Sequence, residues 1–197
     1  MADQEVTGRV TRSFYGKKWH VLNSRIDKDH RVFRVRAEQA RSPRTQDSNE
    51  FYALECGDWV NIVPLTAERE VVMIRQYRHG SREITLEIPG GAVDEADPAE
   101  AAKRELAEET GYESAGITLL GAVNPNPAIF NNLCYTYFAQ DVRATHPPSL
   151  DPMEDIEVEL VPLARIPSLI ASGTITHGLV VVAFHLYLQR YGMAAPA

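Results

Sequence analysis

Apolar and polar positions alternate along short stretches through most of this chain, the two-residue period of half-buried strands. Trp19-His20-Val21-Leu22 and Val32-Phe33-Arg34-Val35-Arg36 read this way, a polar loop from Ala40 to Glu50 turns around Ser42-Pro43, and Phe51 to Glu55 resumes the pattern. Asp58 to Leu65 and Glu70 to Gln76 predict the central strands, with Val71-Val72-Met73-Ile74 apolar on both faces. Glu83–Ile88, Ile117–Val123, Leu133–Gln140 and Ile156–Leu163 are further strands. Helical spacing is confined to a segment ending at Gly111, a short helix from Pro167 to Gly173, and a final helix capped by Thr176 and running through Tyr191. Strands with helices between and after them predict an α+β fold, a mixed central sheet flanked by helices. No internal repeat is visible.

The first of these helices carries the chemistry. Asp97 is placed to cap it, Pro98 suits its first position, Glu100 completes a capping-box-like pattern, and Gly111 suits the left-handed residue after its end. Ala99, Ala102 and Leu106 make the apolar stripe that would pack on a sheet. Within it, Arg104-Glu105-Leu106-Ala107-Glu108-Glu109 sets three carboxylates on one side, at spacings of three and four residues. Like charges so placed destabilise a bare helix. A hard divalent cation would remove the penalty, and such ions sit between carboxylates and phosphates. The segment upstream, Leu86-Glu87-Ile88-Pro89-Gly90-Gly91-Ala92, is an apolar strand running into a glycine turn. Acidic runs of this kind also occur on solvated helices; the order of strand, glycine loop, acidic helix and glycine stop is what sets this one apart.

Residues 90–112 resemble the Nudix box, the signature of the Nudix hydrolase superfamily. Its second half, Arg-Glu-aliphatic-x-Glu-Glu-x-Gly, matches from Arg104 to Gly111, with Tyr112 at the loosely apolar last position. Gly90 falls at the first Gly, but Ala96 stands where the first Glu is expected, between the acidic Glu95 and Asp97. The resemblance implies an α/β/α Nudix sandwich over residues 56–197. It also implies an N-terminal β-rich extension over 1–55 that mediates homodimerisation, as is common in the branch hydrolysing ADP-ribose and other nucleoside-diphosphate sugars. It further implies that Glu105, Glu108 and Glu109, with the carbonyl of Gly90, hold Mg²⁺ or Mn²⁺, and that Arg104 orients Glu108 or Glu100.

Length and charge fit one soluble domain with an extension. The 197 residues carry a net charge of −7, which argues against a surface that coats nucleic acid. Cys56 and Cys134 are the only cysteines, too few for a disulfide framework, and point to a reducing cytoplasm. Neither a leader-like apolar segment at the N-terminus nor a run of 18 apolar residues is present, so no membrane is expected as a partner.

An acidic protein that binds phosphates needs local cations. Arg75, Arg78 and Arg82 cluster at a strand end before the glycine loop, and guanidinium groups suit bidentate phosphate contacts. The Gln76-Tyr77-Arg78 segment resembles the VxQxR segment of ADP-ribose and nucleotide-sugar hydrolases, which implies phosphate contact for Arg78. Glu87 resembles a cleft-lining Glu of that branch. Pro127, about sixteen residues beyond the box, resembles a marker of ADP-ribose pyrophosphatases. In similar enzymes an acid in a later loop serves as general base; Glu154 is the candidate here, with Asp155 and Glu157 as rivals. Phe14, Tyr52 and Trp59 could stack on a base but fit a core more readily. His177 reads as a helix-end residue and His185 as a packed one.

These readings converge on metal-assisted cleavage of a nucleotide-sugar diphosphate to a nucleoside monophosphate and a sugar phosphate. A Nudix enzyme for another nucleotide (a dinucleoside polyphosphate, NADH or an oxidised nucleotide) and a non-catalytic ADP-ribose sensor are the alternatives.

Overall fold

The computed structural model describes residues 18–94 and 97–193. Its backbone divides into two compact units, Met1–Leu54 and Glu55–Ala197.

In the first unit, β1 (His20–Asp29), β2 (Arg34–Arg41) and β3 (Ser48–Glu55) form a sheet in that order. The strands are longer than the short alternating runs predicted. β1 and β2 are antiparallel, with register shifts between Val21 and Asn23 and between Ile26 and Lys28, irregularities that locally increase twist. The polar loop closes on Ser42, whose hydroxyl accepts from the backbone N–H groups of Arg44 and Thr45 at 3.2 Å each. Tyr52 is exposed and donates to Glu50 at 2.6 Å, so it is not the core residue its type suggested. Phe14 lies outside the described residues.

The second unit is built on a mixed sheet. β4 (Trp59–Leu65) and β5 (Glu70–Arg78) are its centre; β6 (Glu83–Glu87) pairs antiparallel with β5, and β7 (Gly90–Ala92) with β4. Helix α1 (Pro98–Thr110) follows, then the two-residue β8 (Tyr112–Glu113), β9 (Ile117–Val123), β10 (Cys134–Gln140), β11 (Arg143–Ala144) and β12 (Ile156–Pro162). The chain ends in α2 (Ile166–Ala171) and α3 (Gly178–Tyr191). The main path runs β12-β5-β4-β10-β9, and β10 lies parallel to β4.

Alternation along the central strands makes two apolar layers. Val60, Ile62, Val72, Tyr137 and Ala139 pack with Ala101, Ala102 and Leu106 of α1. Val63, Leu65, Val71, Met73 and Phe138 pack with Val180, Ala183, Phe184 and Tyr187 of α3. Helix, sheet and helix are thus stacked in the three layers that the resemblance implied. Ala101 rather than Ala99 is fully buried beside Ala102, because the buried face is wider than a single stripe.

Both ends of α1 form as its sequence predicts. Asp97 accepts from the Ala99 N–H at 2.9 Å, and Pro98 opens the helix, a cap worth about 1 kcal/mol. Gly111 has φ of 72°, and a Cβ there would collide with the His146 carbonyl. The strap at 145–149 satisfies the helix end: Thr145 N–H donates to the Gly111 carbonyl at 2.9 Å and Ser149 N–H to that of Glu108 at 2.8 Å. The last helix differs from expectation at its start. His177, not Thr176, is its N-cap, and it makes no side-chain capping bond. His185 is exposed on α3 rather than packed, since the apolar face of that helix passes through Val180, Ala183, Phe184 and Tyr187.

Candidate functional site

The acids of α1 sit at the wrong end of the helix for stability. Glu105, Glu108 and Glu109 occupy its C-terminal half, and the last turn has no basic residue, although that end favours cations. Glu109 is 3 % exposed. Its Oε2 accepts from the Gly90 N–H at 2.9 Å, which ties the helix to the glycine strand. Burial pushes the Glu109 carboxyl up to about 8; the Gly90 bond opposes this, while Glu105 and Glu154 add repulsion. Glu105 is also raised, first by burial and then by Glu108 and Glu154, against the pull of Arg104.

Arg104 spans two of the three acids. Its Nη2 lies 2.9 Å from Glu105 Oε1, and its Nη1 donates to Glu108 Oε2 at 2.7 Å. Among the described acids it pairs with Glu105 and Glu108, while Glu100 pairs with Lys103 at 2.7 Å. Among the described residues no three acidic, His or Cys side chains converge closely enough to enclose an ion. The donor set nevertheless fits a hard cation: the carboxylates of Glu105 and Glu109 are buried and mutually repelling, Glu108 is half-exposed beside them, and Glu154 is close enough to raise both buried acids. Glu105, Glu108 and Glu109 would hold it, in competition with the Arg104 pairs.

Two glycines make this arrangement possible. At Gly90 a Cβ would strike the Val60 carbonyl and the Asn61 backbone; at Gly91 it would strike the Glu105 carboxylate. The first lets β7 lie against β4, and the second lets Glu105 approach the loop. Residues Glu95 and Ala96, where the box departs from its pattern, lie outside the described residues.

Beside the acids opens a cleft of about 580 Å³ lined by β4, β6, β7, the turn after β5 and the start of α3. Arg78 and Glu87 form its charged pair. Nε and Nη2 of Arg78 donate to the two oxygens of Glu87 at 2.8 and 2.7 Å, the fork geometry that favours guanidinium. Thr85 adds a 2.5 Å bond to Glu87 Oε1, and His177 Nε2 stands 3.9 Å from Oε2. Glu87 is 2 % exposed. Burial alone would raise its carboxyl, but the bonds from Arg78 and Thr85 hold it below the ordinary value. Glu109 also acts on Arg78 electrostatically, so the pair and the acidic helix share one field.

Of the other sequence candidates, Arg75, Arg82 and Pro127 do not line the cleft. Arg75 Nε donates to Glu159 across β5 and β12 at 2.7 Å. Arg82 is an exposed turn residue with φ of 60°, its N–H donating to the Arg78 carbonyl. Pro127 is exposed in the loop between β9 and β10. Glu154 accepts from the Asp151 N–H at 3.0 Å, which closes its loop on itself; Asp155 and Glu157 are exposed. Trp59 lies on the cleft and meets Phe130 edge-on at 5.7 Å.

Asn61, Thr85 and His177 line the cleft and were not singled out for it by sequence reasoning. They come from three elements distant in the chain. The one available signal was Asn61, an amide within the otherwise apolar run of β4.

A model of the Nudix domain matches residues 57–181. The chain is 30 % identical over 135 residues to a methanol dehydrogenase activator of Bacillus methanolicus, covering 68 % of this chain and 71 % of that one. It is 28 % identical over 132 residues to an ADP-ribose pyrophosphatase of Bacillus subtilis, covering 66 % and 71 %. The crystal structure of an ADP compounds hydrolase superposes with a TM-score of 0.78 at 25 % identity, over 92 % of this chain and all of that one. With the capped acidic helix, its glycine strand and a family match across most of the second unit, the chain belongs to the Nudix family and is a Nudix pyrophosphohydrolase.

Proposed function

We propose that this enzyme cleaves the diphosphate of a nucleoside-diphosphate sugar, ADP-ribose or a close analogue, with Mg²⁺ or Mn²⁺, giving a nucleoside monophosphate and a sugar phosphate. The observation that carries the reading is the Arg78–Glu87 fork beside the Gly90–Glu109 bond: a guanidinium anchored on a cleft wall, within the field of the buried acids. Relatives named ADP-ribose pyrophosphatase, ADP compounds hydrolase and GDP-mannose pyrophosphatase support the same class.

In this reading Glu87 holds Arg78 against the cleft wall, so the guanidinium meets diphosphate charge without first being ordered. Glu105, Glu108 and Glu109, with the Gly90 carbonyl, would hold the cation, which when bound would supply neutralisation of phosphate charge and a lowered pKa for the attacking water. Arg104 keeps Glu105 and Glu108 in place. Glu154, beside Glu105 and Glu109, accepts the proton of the attacking water. Water bonds to one phosphorus, the bridging oxygen leaves with the other phosphate, and the proton passes to the carboxylate. Glu105, Glu109, Glu154 and Arg104 are the catalytic set, and Arg78 and Glu87 bind the substrate. The proposal extends to a homodimer formed through residues 1–55 and to a reducing, cytoplasmic setting that keeps Cys56 and Cys134 as free thiols.

The test is a turnover panel of ADP-ribose, GDP-mannose, NADH and diadenosine polyphosphates, with Mg²⁺ and with EDTA, products separated by chromatography. The expected result is Mg²⁺-dependent release of monophosphate and sugar phosphate, fastest from a nucleotide sugar. Preference for NADH or a dinucleoside polyphosphate would overturn the substrate class, and ligand binding without hydrolysis would favour a sensor.

A further inference from the structure

Asn61 sits in β4, directly opposite Gly90 in the β4–β7 pairing, and lines the same cleft. It is 7 % exposed. Its Nδ2 donates to the Leu179 carbonyl in the first turn of α3 at 3.5 Å, while its Oδ1 is buried with no hydrogen-bond partner among the described residues. Turning the amide over would bring two oxygens face to face, so the Leu179 bond sets the orientation. A buried amide oxygen without a donor is costly. Evolution has an inexpensive remedy here, since every other inward position of this strand is apolar. In the lining of the same cleft, the Nδ1 of His177 is also buried and, among the described residues, without a hydrogen-bond partner. The cleft lining also includes the apolar Ile88, Leu179 and Val180.

We infer that Asn61 is a specificity-determining residue whose Oδ1 accepts a hydrogen bond from a neutral donor on the substrate, a sugar hydroxyl or a base amine, in the half of the molecule lying beyond the phosphates. The inference rests on the nucleotide-sugar reading above. Position is the argument. Asn61 faces Gly90, whose N–H holds Glu109, so the group it reads enters the cleft on the side of the acidic helix. The chemistry follows from the inventory: the unfilled atom is an acceptor, it is uncharged, and the nearby wall offers apolar contact to a ring. A site built to hydrogen-bond a substrate group rejects an analogue lacking it, because its own polar atom then stays unpaired.

The experiment compares kcat/KM of the full-length wild type, Asn61→Leu and Asn61→Ala on ADP-ribose, its inosine counterpart, and analogues each missing one hydroxyl of the terminal ribose. Wild-type turnover of ADP-ribose or GDP-mannose judges the pyrophosphatase reading by itself. The specificity inference is judged by ratios within each protein, which a general loosening of α3 leaves unmoved. The wild type should disfavour one analogue by about tenfold to a hundredfold, and both variants should bring that one ratio towards unity while their Tm stays near the wild-type value. Collapse of the inosine ratio assigns the donor to the base, and collapse of a deoxy ratio assigns it to the sugar. Wild-type indifference to every analogue, or variants that keep the wild-type ratios, would overturn the inference.

Discussion

Glu109 makes a prediction that can be worked through from burial alone. Its carboxyl titrates at about 8 in the fold against an ordinary value of 4.5, so the folded protein holds a proton that the unfolded chain has already released. For an acid raised in this way, stability is fully present below the unfolded value and is lost as pH climbs through the folded one. The slope is about 1.4 kcal/mol per pH unit between those limits, and integrates to roughly 5 kcal/mol. Relaxation of the fold around the new charge recovers part of this, so a fall of about 2–4 kcal/mol between pH 5 and pH 8 is expected for metal-free protein. Glu105, raised for the same reason, steepens it. Urea unfolding followed by circular dichroism in EDTA, at each pH from 5 to 9, reads the effect. Glu109→Gln, which keeps an acceptor for the Gly90 N–H but carries no charge, should have a flatter profile and overtake the wild type above about pH 7. Parallel profiles for the two proteins would refute the reasoning. Because the cation binds the ionised form, Mg²⁺ should stabilise the wild type far more at pH 8 than at pH 5.

Other expectations follow from individual contacts. Glu87→Gln breaks the fork to Arg78, and should cost about 1–3 kcal/mol at neutral pH and lower kcat/KM by tenfold or more. Since Glu87 is held below its ordinary value, that loss should shrink as acid protonates the wild-type carboxyl, a trend measurable by unfolding at pH 3 to 7. Gly91→Ala drives a methyl into the Glu105 carboxylate, and should cut Mg²⁺-dependent turnover at least tenfold while the far-UV spectrum is kept. Arg75→Ala removes only a half-exposed cross-strand pair, and should change stability by under about 1 kcal/mol and turnover by less than twofold; a collapse of activity would place Arg75 on substrate.

The capped helix was legible in the sequence because its signals are local. Asp97, Pro98 and Gly111 each act on backbone within one turn, and the strap at 145–149 only reinforces them. The central strands were legible for the same reason, as apolar runs bounded by polar turns. β7 was not, since Gly90-Gly91-Ala92 has no alternation to read and pairs with β4 only because a Cβ-free backbone fits there. The three carboxylates were found, but not their state: Arg104 lies between Glu105 and Glu108, a contact that helical spacing permits without requiring. The cleft was the least visible feature. Asn61, Thr85, Glu87 and His177 reach one cleft through tertiary packing of β4, β6 and α3, and only Glu87 was picked out for it, through its resemblance to a cleft-lining Glu.

The account turns on whether the acids of α1 gather a divalent ion at the edge of the cleft. Anomalous diffraction from crystals soaked in Mn²⁺ with a non-hydrolysable ADP-ribose analogue addresses this directly. The expected map has a peak about 2.1–2.2 Å from carboxylate oxygens of Glu105 and Glu109, with the diphosphate on its other side and Arg104 moved off Glu105. A peak elsewhere, or Arg104 still bridging Glu105 and Glu108 beside a bound diphosphate in a protein whose turnover needs Mn²⁺, would contradict it.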